Sequence, residues 1–150
     1  METSDWDRHA QQLRQVGNVQ AKATTETPNS VSSGFGVSNV VAEARRYIGG
    51  NPTGRSRLWC ARFMNMVLKR SGHQGTGSDM ASSFAHYGRR VSGPQVGAIA
   101  VMGRRGGGHV GVVSGVDAKG NPIIVSGNHG RKVAEAVYPR GRVYAYVLPN

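Results

Sequence analysis

The stretch Pro94–Val116, PQVGAIAVMGRRGGGHVGVVSGV, is where the chain changes character. On either side of a glycine- and arginine-rich centre it carries runs of β-branched and small apolar residues, Val96–Met102 and His109–Val116. Such runs suit a pleated, half-buried surface. Three more follow, Pro122–Ser126, Val133–Tyr138 and Val143–Leu148, so the C-terminal part reads as an antiparallel sheet of about five strands.

Upstream the periodicity is helical. Ser38 is placed to cap a helix through Val40, Val41, Ala44 and Ile48 that stops at Gly49-Gly50 ahead of Pro52. The run Trp59–Arg70 sets Phe63, Val67 and, on the adjacent row, Met64 and Leu68 at helical spacing, and ends at Ser71-Gly72. Residues 79–88 predict a shorter helix carrying Met80, Phe84 and Tyr87, closed by Gly88. Helices followed by a strand meander give an α+β architecture with a helix packed across the sheet.

Ahead of this domain, Trp6, Ala10, Leu13 and Val16 fit a short amphipathic helix over 5–16, and 17–37 has the Gly/Ser/Thr/Asn composition of a flexible connection. The expected organisation is an N-terminal tail, 1–37, and one compact domain, 38–150. The chain has 19 Lys and Arg against 8 Asp and Glu, a net charge of +11, which favours a polyanionic partner such as nucleic acid, anionic lipid or cell envelope. Its one cysteine excludes an internal disulfide and a multi-cysteine zinc site. METSDWDRHAQQLRQVGNVQ contains no apolar signal core, and no later stretch approaches the roughly 18–20 apolar residues of a membrane span. The expectation is a monomer made in the cytoplasm without a signal peptide or transmembrane segment. A substrate beyond the membrane would then require lysis or delivery by a phage or secretion apparatus, with residues 1–37 available to a delivery partner.

Three residues are candidates for chemistry. Cys60 falls in the first turn of the second helix, where unpaired N–H groups and the positive dipole end favour a thiolate; alone, it reads first as a small buried hydrophobe between Trp59 and Ala61. His109 opens a strand after a flexible glycine loop, where a substrate can approach its ring, although histidine is also common at surfaces. If Ala118-Lys119-Gly120-Asn121 is a hairpin turn, paired positions sum to about 239, which sets Gly111 near Asn128 and His109 near residue 130. Asn128 then reaches the same sheet end as His109, where its carbonyl can fix the imidazole tautomer. It reads otherwise as a turn residue before Gly130, with His129 a rival polar partner and Glu135 an alternative if the last strands fold back. No His/Asp/Glu cluster has metal-ligand spacing, and the glycine stretch lacks the Lys-Ser/Thr of a phosphate loop.

The strings Trp59-Cys60-Ala61-Arg62-Phe63-Met64-Asn65, Pro94–Val101, Gly108-His109-Val110-Gly111-Val112-Val113 and Gly127-Asn128 resemble, in order and spacing, the CHAP family of cysteine, histidine-dependent amidohydrolases/peptidases, related to NlpC-type enzymes. The resemblance spans roughly residues 38–148. It implies a papain-like fold and hydrolysis of peptidoglycan amide bonds, as an amidase or endopeptidase, with Cys60, His109 and Asn128 as the catalytic set. Two positions depart from the pattern: Ala98 stands where relatives usually have Asp, and Ser126 where some have a Glu that assists the histidine. Some relatives bind calcium through acidic residues ahead of the cysteine; Asn51–Trp59 has none, so no metal or cofactor is expected. The competing readings are a basic, non-catalytic module for nucleic acid or anionic envelope polymers, and a papain-like amidase acting on a non-wall protein or small amide.

Overall fold

The computed structural model describes residues 39–104 and 107–149. The chain divides into two units, Met1–Gly36 and Val37–Asn150, and the described residues all belong to the second. The helix expected over 5–16 and the connection over 17–37 lie outside the described residues.

Helix α1 occupies 39–45 and buries Val40, Val41 and Ala44 on one face. It ends earlier than its periodicity predicts. Ile48 instead forms a parallel bridge with Val133, and the backbone pairs Gly49 N–H with Val133 O and Val133 N–H with Gly50 O, each at 2.8 Å. Sheet-type partners for these groups outweigh one more helical turn.

Helix α2, Cys60–Arg70, begins where expected, with Trp59 as N-cap and the Phe63 N–H donating to Trp59 O at 2.9 Å. Cys60, Ala61, Phe63, Met64, Val67 and Leu68 form its buried face. Full burial of Phe63, Met64 and Leu68 contributes about 1.5–3 kcal/mol each. Lys69 and Arg70 lie in its last turn, where they suit the negative dipole end. The short third helix expected over 79–88 is a 3₁₀ helix, Ala81–His86. The Ser83 hydroxyl donates to Met80 O at 2.7 Å, the kind of local side-chain bond that competes with an α-helical ladder.

The sheet has six strands, one more than the apolar runs suggested: β1 Arg89–Val91, β2 Ile99–Arg104, β3 Gly107–Val116, β4 Pro122–His129, β5 Lys132–Val137 and β6 Val143–Leu148, in the order β1-β6-β2-β3-β4-β5. The described strand pairs are antiparallel. The unforeseen strand is β1; its Arg-Arg-Val has two exposed arginines and no apolar alternation, yet it pairs with β6 from Arg89–Leu148 to Val91–Tyr146. Together the helices and antiparallel sheet make the expected α+β fold.

The core has two parts. Helices α1 and α2 and the 3₁₀ segment pack with Ile99, Val101, Val110, Val112, Val125, Ala145 and Val147. A smaller cluster gathers Ala98, Ala100, Met102, Val113, Ile124, Tyr138 and Tyr146. Among the described residues no helix is long and apolar enough to cross a membrane.

Candidate active site

Cys60 is the first residue of α2, and no acidic side chain lies in that first turn. Its approach is shaped by Asn51, whose side chain accepts from the Thr53 N–H at 3.0 Å and donates to Arg55 O at 2.6 Å. Leu58, exposed and at φ 52, then turns the chain into the helix. A bulky residue in this left-handed region is strained, so packing of the next residue must hold it there. Trp59 does so: it is buried and meets Phe63 edge-on with ring centroids 6.4 Å apart.

What seats Trp59 is a missing side chain on β4. A Cβ at Gly127 would lie 2.7 Å from Trp59 Cζ3 and 2.9 Å from Phe63 Cβ. The helix start therefore rests directly on the strand backbone. From this position the Cys60 thiol donates to the Gly108 carbonyl, 3.8 Å away, on the residue immediately before His109.

Below the thiol, α2 also fixes the loop leading to the 3₁₀ segment. Asn65 donates to Ser78 O at 2.8 Å and accepts from the Thr76 N–H at 2.7 Å. Asp79 accepts from Arg55 and Arg62, both at 3.1 Å, which ties the loop ahead of Cys60 to α2 and to the approach of the 3₁₀ segment. These are exposed ion pairs, of value for geometry more than for stability.

His109 is fully buried, pairs with Met102 across β2 and β3, and presents Nε2 to the Ser126 hydroxyl at 2.9 Å. The Tyr138 hydroxyl lies 3.3 Å from the same nitrogen and 3.1 Å from Ser126 Oγ. Asn128 is not among the described partners of the ring. It lies in the bulge between Ser126 and His129, half-buried and at φ 58.

The hairpin register explains this arrangement. Val116 pairs with Pro122, and the Asp117 carboxylate closes the turn by accepting from the N–H groups of Lys119 and Asn121 at 2.9 and 2.8 Å. Those backbone bonds, the one from Asn121 foremost, hold the Asp117 carboxyl below the usual carboxylate range. A shift between Val113 and Gly115 then moves the pairing again, so Gly111 faces Ser126 and not Asn128. Because directly paired residues share a sheet face, and His109 lies two residues from Gly111, Ser126 comes within reach of the ring. Glycine is required at 111: a Cβ there would stand 2.7 Å from Ser126 Cβ and 2.5 Å from Ile124 Cγ2.

The alternatives raised by the sequence are also placed. Glu135 accepts from Arg45 at 2.9 Å and from the Ser114 hydroxyl, which commits it to joining α1 to the sheet. His129 donates to or accepts from the Tyr138 hydroxyl through Nδ1 at 2.6 Å. Of the residues singled out in the sequence, Cys60 and His109 lie on neighbouring elements and Ser126, noted there as a departure, meets the His109 ring; Tyr138 was not singled out. Tyr138 follows β5 and reads there as an ordinary aromatic at a strand end.

The family model of the CHAP domain matches residues 50–128, just over half of the chain, from the loop ahead of Cys60 to Asn128. No curated protein sequence matches the chain. A cysteine at a helix start against the strand that carries a histidine, on a helix-and-antiparallel-sheet scaffold, agrees with that match, and the chain belongs to the CHAP family of papain-like cysteine/histidine amidohydrolases and peptidases.

Proposed function

We propose that the protein hydrolyses amide bonds of bacterial peptidoglycan, as an N-acetylmuramoyl-L-alanine amidase or a stem-peptide or cross-bridge endopeptidase. Cys60 is the nucleophile and His109 the acid and base. The observation that carries this reading is the Cys60 thiol on the Gly108 carbonyl, next to a histidine whose Nε2 is occupied by Ser126. With Nε2 so engaged, Nδ1 is the nitrogen that exchanges a proton with the thiol.

The thiolate attacks the amide carbonyl, forming the S–C bond and a tetrahedral oxyanion. The backbone N–H of Cys60 lies at the start of the helix, on the positive end of its dipole, which suits it to receive that charge. His109 protonates the leaving nitrogen as the C–N bond breaks, leaving a thioester. Water then gives a proton to His109 and adds to the thioester carbon. The C–S bond breaks, releasing the carboxylic acid and restoring the thiol. Asn128 contributes through the backbone: its left-handed conformation turns β4 so that Ser126 remains on the ring. The net charge of +11 suits attraction to anionic wall polymers.

Digestion of purified peptidoglycan by wild type and by Cys60→Ala, with fragments identified by mass spectrometry, tests the proposal. New amino termini or released stem peptides are expected with wild type alone. Intact sacculi with folded wild-type protein would exclude the wall as substrate, and equal digestion by Cys60→Ala would exclude the thiol mechanism.

A further inference from the structure

Nε2 of His109 meets more polar groups than a single serine. Tyr138, buried just after β5, brings its hydroxyl to 2.6 Å from His129 Nδ1, 3.1 Å from Ser126 Oγ and 3.3 Å from His109 Nε2. Its ring is flanked by both histidines, with centroids 5.8 Å from His109 and 5.6 Å from His129, and by the Arg142 guanidinium 5.5 Å from the ring centre.

The protons of this cluster can be placed once each. His109 Nε2–H donates to Ser126 Oγ, its shorter contact; the Ser126 hydroxyl donates to Tyr138 Oη; the Tyr138 hydroxyl donates to His129 Nδ1. Every donor then has one acceptor, and the chain ends on an imidazole nitrogen that accepts. Run in reverse, the chain would make Nε2 the acceptor; run in this direction, it keeps a proton on Nε2 and leaves Nδ1 as the basic nitrogen. A lone serine would not enforce it, since a hydroxyl donates to Nε2 as readily as it accepts.

Taking His109 as the base of the proposed reaction, we propose that Tyr138, anchored by His129, is a positioning residue that acts through Ser126 to fix the His109 tautomer. Ser126, Tyr138 and His129 together thus do the orienting work that a carboxylate at position 126 would do alone. A chain without a carboxylate sets ring direction and tautomer without adding a negative charge beside the ring.

The test uses the full chain with Tyr138→Phe, His129→Phe and His129→Asn. It reads kcat and KM on released wall peptides and, separately, the ¹⁵N resonances of the His109 ring. Phenylalanine at 138 keeps the aromatic packing and removes only the hydroxyl. Asparagine at 129 offers an acceptor oxygen near the position of Nδ1. We expect Tyr138→Phe to lower kcat by roughly tenfold or more with KM little changed, and to shift the His109 ring signals away from the Nε2–H tautomer. His129→Phe should move both readouts the same way, and His129→Asn should restore them in part.

Unchanged kcat and ring signals in Tyr138→Phe, with His109→Ala inactive, would leave the site standing and overturn the positioning role. Equal impairment in His129→Asn and His129→Phe would remove His129 from the chain. Full activity in His109→Ala would overturn both the site and this inference.

Discussion

Asn128 holds φ 58 between Ser126 and His129, a conformation that costs an alanine roughly 1–2 kcal/mol and a glycine nothing. If its contribution is to turn the strand, Asn128→Gly keeps most of the activity while Asn128→Ala loses both activity and thermal stability. If its amide acts on the imidazole, the two variants are equally impaired. Steady-state rates and melting curves of the pair separate these outcomes. The same residue shows how far the sequence could be read. Cys60 and His109 are legible because their cues are local: a helix start and a strand start after glycines. The ring's partner depends on register, and each of the two bulges, at Val113/Gly115 and Ser126/His129, changes which side chain meets it. A glycine inside a strand, as at Gly115 and Gly127, hints at a bulge but does not say how far the register shifts, so simple hairpin counting set Asn128 opposite Gly111 where Ser126 lies.

At the scale of elements, helix start and strand are joined through Gly127. Adding one methyl there overlaps Trp59 and Phe63, so Gly127→Ala should cost about 1–3 kcal/mol and displace Cys60 from Gly108. Denaturant melts check the first part, and a fall in kcat beyond the loss of folded protein checks the second. The β3–β4 turn carries a pH signature. The Asp117 carboxyl is held below its ordinary range by the Asn121 and Lys119 N–H groups, so its contribution is present above the unfolded value. It is lost as pH falls through the lower folded value. Asp117→Asn should therefore lower Tm near neutrality, converge on the wild type in acid, and so flatten the acid limb of the Tm–pH curve. The helix α2 and the five apolar strands after Pro94 were legible because burial imposes their spacing. Strand β1 was not, because Arg-Arg-Val is held by pairing with β6 more than by an apolar face. The short helix expected over 79–88 is present at Ala81–His86, but its 3₁₀ type was not legible: Ser82 and Ser83 carry no strong preference, and Thr76 and Asn65 fix the loop before it.

For the whole molecule, the elements that carry Cys60 and His109, both core clusters of the described residues and the matched family region lie within 40–148. Deletion of residues 1–36 is therefore expected to leave a folded domain that cleaves soluble wall fragments at near wild-type rates. Loss of the cooperative melt on truncation would show that Trp6 and Leu13 complete the core. The central claim concerns the thiol and the imidazole as a working pair, and its most direct measurement is the rate of Cys60 alkylation across about pH 5 to 9 in wild type and His109→Ala. The account predicts rapid single modification of the folded wild type near neutrality, and a rate at least about tenfold lower in His109→Ala at the same pH. Identical profiles in the two proteins, or a thiol that reacts only after unfolding, would contradict it.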